Sequence, residues 1–330
     1  MRKWLLTSAI VVVAGLLSGG VFAQTYERHP LALAFVDRMV DSHGFDRDEL
    51  LKLMSQAERK QGIIDAMNRP AEKVKPWYEY RKIFIHEQRI SLGVTFWREH
   101  RAALERVEQQ YGVDPAVIVA IIGVETNYGR NTGSYRVIDA LATLAFDYPK
   151  RSPFFTSELE NYLLLIREQE QDPLAHKGSY AGAMGYGQFM PSSYRNYAAD
   201  YDGDGFIDIW NNPQDAIASV ANYFKAHGWQ MGQPVVARAT AAKGYDSDLI
   251  NVLRKPDVSI ARHRADGLAV EGSYPDTLPA MPLRLEQRSG DEYWLGFNNF
   301  YTITRYNHSH RYAMAVYELS ELIRERVGHG

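Results

Sequence analysis

Hydrophobic and polar positions divide the chain into three textures. A basic Met1-Arg2-Lys3 precedes an apolar run from Trp4 to about Leu17, then small residues ending in Val21-Phe22-Ala23. This is the pattern of an export leader cut after Ala23, and the run is shorter than the ~20 residues a membrane span needs. The second texture is helical. Leu50, Leu51, Leu53 and Met54 open a helix that Asp46 caps, with Glu49 three residues on. Ile83, Ile85, Ile90, Leu92, Phe96, Trp97, Leu104 and Val107 carry helical periodicity across 80–110. Pro115 suits a first helical position before Val117-Ile118-Val119-Ala120-Ile121-Ile122-Gly123-Val124. That helix is apolar all round, so it belongs at the centre of a core. Further helices are predicted near 136–146, 156–171, 191–199, 213–227 and 309–327. The third texture fills 234–296. There Val235-Val236-Ala237, Leu268-Ala269-Val270, Leu283-Arg284-Leu285 and Tyr293-Trp294-Leu295 are short alternating runs broken by Gly and Pro, which predicts a small β-rich module. The expected fold is mainly α (α+β), a helical core with a β-rich insertion.

Composition narrows the function. The chain has 330 residues, enough for two or three packed units, and its 45% hydrophobic and 23% charged residues are those of a globular protein. With 37 Lys+Arg against 40 Asp+Glu, it has no basic footprint for nucleic acid. No cysteine is present, which removes disulfides, thiolate chemistry and zinc fingers. Leu17-Ser18-Gly19-Gly20 resembles a bacterial lipoprotein box with Gly20 where the lipidated Cys would stand. A soluble, periplasmic and non-lipidated protein is therefore expected. His43, His86, His176 and His227 are scattered and read as structural or surface residues.

Three segments carry candidate chemistry. Glu125 ends the apolar helix in Val124-Glu125-Thr126-Asn127-Tyr128-Gly129. Desolvation against Ile121, Ile122 and Val124, with the negative end of the helix dipole, would raise its pKa and make it a proton donor near neutrality. The alternative is a Glu at a frayed helix end that points into water or holds Arg130. Residues 179–194, Ser-Tyr-Ala-Gly-Ala-Met-Gly-Tyr-Gly-Gln-Phe-Met-Pro-Ser-Ser-Tyr, interleave glycines with aromatics. They read as a sugar-binding surface or, alternatively, a tight turn between helices; the Gly-Lys-Ser/Thr ending of a phosphate loop is missing. Asp200-Tyr201-Asp202-Gly203-Asp204-Gly205-Phe206-Ile207-Asp208 matches the first nine positions of an EF-hand loop. Asp200, Asp202, Asp204 and the Phe206 carbonyl would hold a hard cation. Position 12 is Asn211 where a Glu is expected, so the loop would be closed from the following helix by Asp215. A structural cation of modest affinity is expected, Ca²⁺ with Na⁺ as the alternative, and no organic cofactor.

Taken with Asn299-Phe300-Tyr301-Thr302-Ile303-Thr304-Arg305-Tyr306-Asn307, these motifs occur in an order that resembles the lytic murein transglycosylase B family, a lysozyme-like family acting on peptidoglycan. The resemblance runs from about Phe35 to Leu322. Behind the leader over 1–23, it implies an N-terminal helical region over 24–80 and a lysozyme-like core over 81–233 with its metal loop at 200–215. A small β-rich domain over 234–296 and a returning segment over 297–330 complete it. The family's catalytic acid/base matches Glu125, its groove Ser and Gln match Ser179 and Gln188, and its aromatic lining matches Tyr80, Tyr223, Tyr306 and Tyr312, with Asn307 beside them. A basic pair matches Lys150-Arg151, with Lys in place of the usual Arg, and Phe154 stands where a Tyr is often found. The implied reaction protonates the glycosidic oxygen between N-acetylmuramic acid and N-acetylglucosamine and closes a 1,6-anhydro ring. Ser179 would orient the acetamido group. Asp139 and Asp147 fall on the following helix, so no partner carboxylate is evident beside Glu125. Two rivals are a hydrolytic muramidase of the same fold and a non-catalytic peptidoglycan- or calcium-binding protein. The expected partners are glycan strands and cell-wall remodelling proteins, with the chain a monomer.

Overall fold

The computed structural model describes residues 24–69 and 75–328. The leader expected over Met1–Ala23, Gly20 included, lies outside them. The apolar helix Pro115–Thr126 is the axis of the molecule, with residues 115 to 124 all buried. Asp114 caps it by accepting from Ala116 N–H at 2.9 Å, and Pro115 fills the first turn, where its missing N–H costs nothing. Against this axis pack the helices Glu87–Glu99, Pro213–Ala226 and His310–Gly328.

The periodicity over 80–110 is broken into three helices, Trp77–Phe84, Glu87–Glu99 and Arg101–Tyr111. His86 interrupts by capping the second, its ring accepting from Arg89 N–H, and His100 sits between the second and third. The other predicted helices lie within a few residues of expectation, at Val137–Asp147, Ser152–Glu168, Pro191–Tyr197, Pro213–Ala226 and His310–Gly328. Asp46 caps Arg47–Met54 through Glu49 N–H as the sequence suggested. Helices at Pro30–His43, Gln61–Asn68, Ile260–Ala265 and Asn298–Tyr306 carried no prediction.

The N-terminal helices Pro30–His43 and Gln61–Asn68 lie on Val137–Asp147, fixed by a polar seam. Asp139, almost fully buried, takes two bonds from Arg136 at 2.8 Å and one from Glu58 N–H. Asp147 accepts from the Tyr26 hydroxyl at 2.7 Å and pairs with Arg59 at 3.4 Å.

The 234–296 module is a five-stranded antiparallel sheet in the order Val258–Ser259, Pro279–Gln287, Gly290–Gly296, Val236–Ala241, Leu268–Val270. Its long hairpin turns on Arg288-Ser289, with Gln287 paired to Gly290. Alternation gives the sheet two buried faces. Ala237, Ala239, Ala280 and Leu295 join Ile260, Leu268 and Phe297 in a small core of the module's own. Val236, Met281, Leu283, Leu285 and Trp294 point the other way, into the main core.

Candidate active site

The central helix ends one residue after Glu125. Asn127 and Tyr128 adopt left-handed backbone, φ 52° and 63°, and return their N–H groups to Gly123 and Ile122. The turn is anchored sideways as well. The Thr126 hydroxyl donates to the Tyr186 carbonyl at 2.9 Å and accepts from Gly129 N–H at 3.0 Å, and Tyr128 Oη reaches the Arg89 carbonyl at 3.0 Å. Nothing in the sequence marked Thr126 for this clamp, because its partner is a backbone oxygen 60 residues away.

Glu125 is partly accessible and takes one hydrogen bond, from Tyr312 Oη to Oε1 at 2.5 Å. Burial pushes its carboxyl up to about 7, and the Tyr312 bond opposes that rise without cancelling it. Arg130 is exposed and forms no ion pair with it, and among the described residues no Lys, Arg or His does. Asp139 and Asp147 are committed to the polar seam. The tyrosines feel the carboxylate in turn. Tyr80, Tyr306 and Tyr312 are all raised by burial first and by the charge of Glu125 second. Glu125 is thus enclosed by phenols rather than by counter-charges. At a pKa near 7 it can hold a proton and, once ionised, take one back.

The glycine-rich segment forms the adjoining wall. Met184 and Phe189 exchange both backbone hydrogen bonds, 2.8 and 2.9 Å, around a tight hairpin in which Gln188 has φ 50°. Two glycines are there for closeness. A Cβ on Gly185 would lie 2.4 Å from the Ile209 carbonyl, and one on Gly187 would lie 2.8 Å from Tyr306 Oη. Tyr306 Oη donates to the Gly187 carbonyl at 2.5 Å. Behind it, Tyr223 packs edge-on to Tyr306 at 4.8 Å, with its own hydroxyl turned to the Arg305 carbonyl at 2.6 Å. His227 stacks on Tyr223 at 4.0 Å, which fits its expected structural role. The Gln188 amide N–H₂ donates to the Gly185 and Thr132 carbonyls, which leaves its Oε1 as an acceptor. Ser179 Oγ accepts from Ala181 and Ala183 N–H at 3.3 and 3.1 Å, which leaves its proton to donate elsewhere.

Among the aromatic candidates, Tyr312 bonds Glu125, Tyr80 and Tyr306 are raised by its charge, and Tyr223 packs behind Tyr306. Asn307 is exposed at the end of Asn298–Tyr306. Lys150 and Arg151 lie on a separate turn: Lys150 Nζ reaches Asn68 at 3.5 Å, and Arg151 lies over the Phe154 and Phe155 rings at 4.5 and 5.1 Å. Neither forms a hydrogen bond, ion pair or ring contact with Glu125 or its tyrosines.

The acidic loop differs from expectation at one position. Carboxylate oxygens of Asp200, Asp202 and Asp204 gather within 4.8 Å of one another, and no Lys, Arg or His among the described residues pairs with them. Like charges at that range repel, and three hard oxygen donors suit a cation such as Ca²⁺. Asp215 stands outside this group. It is fully buried, and its oxygens accept from Tyr201 and Asp208 N–H at 2.8 and 2.7 Å. It does close the loop from the following helix, but by hydrogen bonds to the loop's backbone. Asp208 is likewise turned back onto Trp210 and Asn211 N–H.

A helix-rich core with a small sheet places the chain in the lysozyme-like fold class of lytic transglycosylases. Residues 28–321 match the family model described as the transglycosylase SLT domain, and the chain belongs to that family, an enzyme of the lytic transglycosylase class. It is 49% identical over 314 residues to membrane-bound lytic murein transglycosylase B of Escherichia coli K12, covering 92% of this chain and 84% of that one. The soluble lytic transglycosylase SltB1 of Pseudomonas aeruginosa superposes with a TM-score of 0.87 at 52% identity, covering 91% of this chain and 100% of that chain. The Escherichia coli lytic transglycosylase Slt35, solved in complex with calcium, superposes at 0.83 with 47% identity, covering 91% and 94%. No helix of the described residues is long and apolar enough to cross a membrane.

Proposed function

We propose that this enzyme cleaves the β-1,4 bond between N-acetylmuramic acid and N-acetylglucosamine in peptidoglycan and leaves a 1,6-anhydromuramyl end. The observation that carries the reading is Glu125, whose carboxyl burial pushes up to about 7, with Tyr312 as its hydrogen-bond donor and no carboxylate partner among the described residues. Glu125 gives its proton to the glycosidic oxygen as the C1–O4 bond breaks. The acetamido oxygen of the muramyl sugar stabilises the cationic C1, with Ser179 donating to that group. Glu125, now ionised and still bonded to Tyr312, removes the 6-hydroxyl proton while O6 bonds to C1. The proton returns to Glu125, no water enters, and the atoms balance. Gln188 Oε1, Asn307 and the faces of Tyr80 and Tyr306 would hold the sugars, Tyr223 would back Tyr306, and Lys150 with Arg151 would extend the surface toward anionic parts of the strand.

Asp200, Asp202, Asp204 and the Phe206 carbonyl would hold one structural cation, with Asp215 fixing the loop around it. A cation there would remove the repulsion among the three carboxylates. The assigned compartment is the periplasm, with the chain acting as a monomer. Mass spectrometry of muropeptides released from purified sacculi tests the reaction. Anhydro products, each lighter by one water than the hydrolysis product, are expected; hydrolysed ends would make the enzyme a muramidase.

A further inference from the structure

We propose that Glu286, on the β-rich module, is a positioning residue for the chemistry at Glu125, acting through Arg311 on the two helices that carry Tyr312 and Tyr80. The geometry is a three-way junction. Arg311 Nη2 donates to Glu286 Oε1 at 3.1 Å and lies 3.5 Å from Oε2. Glu286 Oε2 also accepts from Trp77 N–H at 3.4 Å. Trp77 is the first residue of Trp77–Phe84, and Arg311 is the second of His310–Gly328. One carboxylate therefore ties the opening turns of both helices to the strand Pro279–Gln287. An anion suits the Trp77 end, since the first N–H groups of a helix have no partner within it.

Those two turns carry the phenol that bonds Glu125 and a second one raised by its charge. Tyr312 follows Arg311 directly and donates to Glu125. Tyr80 lies one turn beyond Trp77, stacks on its ring at 6.3 Å, and senses both Glu125 and Arg311. Arg311 has only 16% of its side chain exposed, and its Nε, like His310 Nε2, is buried without a hydrogen-bond partner. Among the described residues Glu286 is the one acid paired with it. Without that pairing, a largely desolvated cation is left uncompensated one residue from the Glu125 hydrogen bond. The sheet itself does not depend on this pair, because Leu283, Leu285 and Trp294 hold it to the main core.

The inference rests on Glu125 being the acid/base of the proposed reaction, and the experiment separates the two. Glu286→Gln and Arg311→Met are compared with wild type for turnover of sacculi across pH, melting temperature and product mass. Both variants are expected to lose about tenfold in turnover through slight misplacement of the tyrosines. The double variant should be no worse than either single one, because all three break the same link. The alkaline limb of the pH–rate profile should move up in Arg311→Met, where loss of Tyr312 donation and of the Arg311 charge both favour protonated Glu125, and less in Glu286→Gln, where the uncompensated Arg311 charge opposes the rise; Tyr80, Tyr306 and His310, the last held down to about 4 by burial, stay neutral over that range. Glu286→Asp should restore part of the rate. A lower melting temperature with unchanged turnover and an unchanged limb would reduce the pair to a structural tie and overturn the proposal. Additive losses in the double variant, or failure of both single variants to fold, would overturn it as well. Hydrolysed products from wild type would remove the anhydro reading while leaving the effect of Glu286 on rate to be read.

Discussion

Glu125 and the Asp200–Asp215 loop are acidic sites on one helical core, yet they handle negative charge in opposite ways. At Glu125 a lone carboxyl is enclosed by phenols and buried hydrocarbon, so its proton is held up to about pH 7. In the loop, Asp200 is half-buried, and N–H bonds from Gly205 and Gly203 hold its carboxyl below the usual range. The first environment favours the protonated form; the second favours the charged one. Burial and the number of backbone donors separate the two roles, although the side chains are nearly the same.

The strongest way to break this contrast is Glu125→Gln. Turnover of sacculi should fall at least ~10³-fold, as the proposed acid/base role of Glu125 requires, while glycan binding persists. Retained turnover would end the assignment. The same variant should be more stable than wild type at high pH. The folded carboxyl titrates near 7 and the unfolded one near 4.5, so the native state binds the proton more tightly. Wild-type stability therefore falls as pH rises from about 4.5 to about 7, by roughly 2 kcal/mol after allowing for partial solvent access. Melting curves of the two proteins should coincide near pH 4 and separate above pH 7.

Asp215→Asn probes the other region. An amide N–H₂ replaces one acceptor against two backbone N–H groups, which should cost about 1–3 kcal/mol and weaken calcium-dependent stabilisation in calorimetry. Tyr312→Phe comes next. It should lower turnover about tenfold and move the alkaline limb upward, because the bond it removes favours ionised Glu125. Smallest is the effect of a chelator, which should lower the melting temperature by about 5 °C while changing the rate at ambient temperature less. An unchanged melting curve would argue against a structural cation.

Much of this was legible in the chain, and the limits have physical causes. The central helix and its proline start could be read because each is a local matter of spacing and backbone conformation. The breaks at His86 and His100 were missed because the apolar spacing runs through both. The Asn298–Tyr306 helix was missed because its residues read as a motif before they read as a periodicity. In the site, Glu125 and the acidic loop stand out by residue type. What hydrogen-bonds to them is a matter of long-range packing: Tyr312 lies 187 positions from Glu125. Asp215 looks like a ligand from its place in the loop, and only the fold turns both of its oxygens onto backbone.

The sheet with two buried faces has a consequence for anyone who would cut this protein apart. A fragment ending before Val235 would uncover the packing surface for Met281, Leu283, Leu285 and Trp294. The excised sheet would present those side chains to water on a strand pair with open edges, a template for aggregation. The module is thus no detachable cassette. Exchanging it with that of a relative would require carrying over the hydrophobic footprint on the helices beneath it, so a working chimera needs its seams drawn through the main core rather than at the linkers.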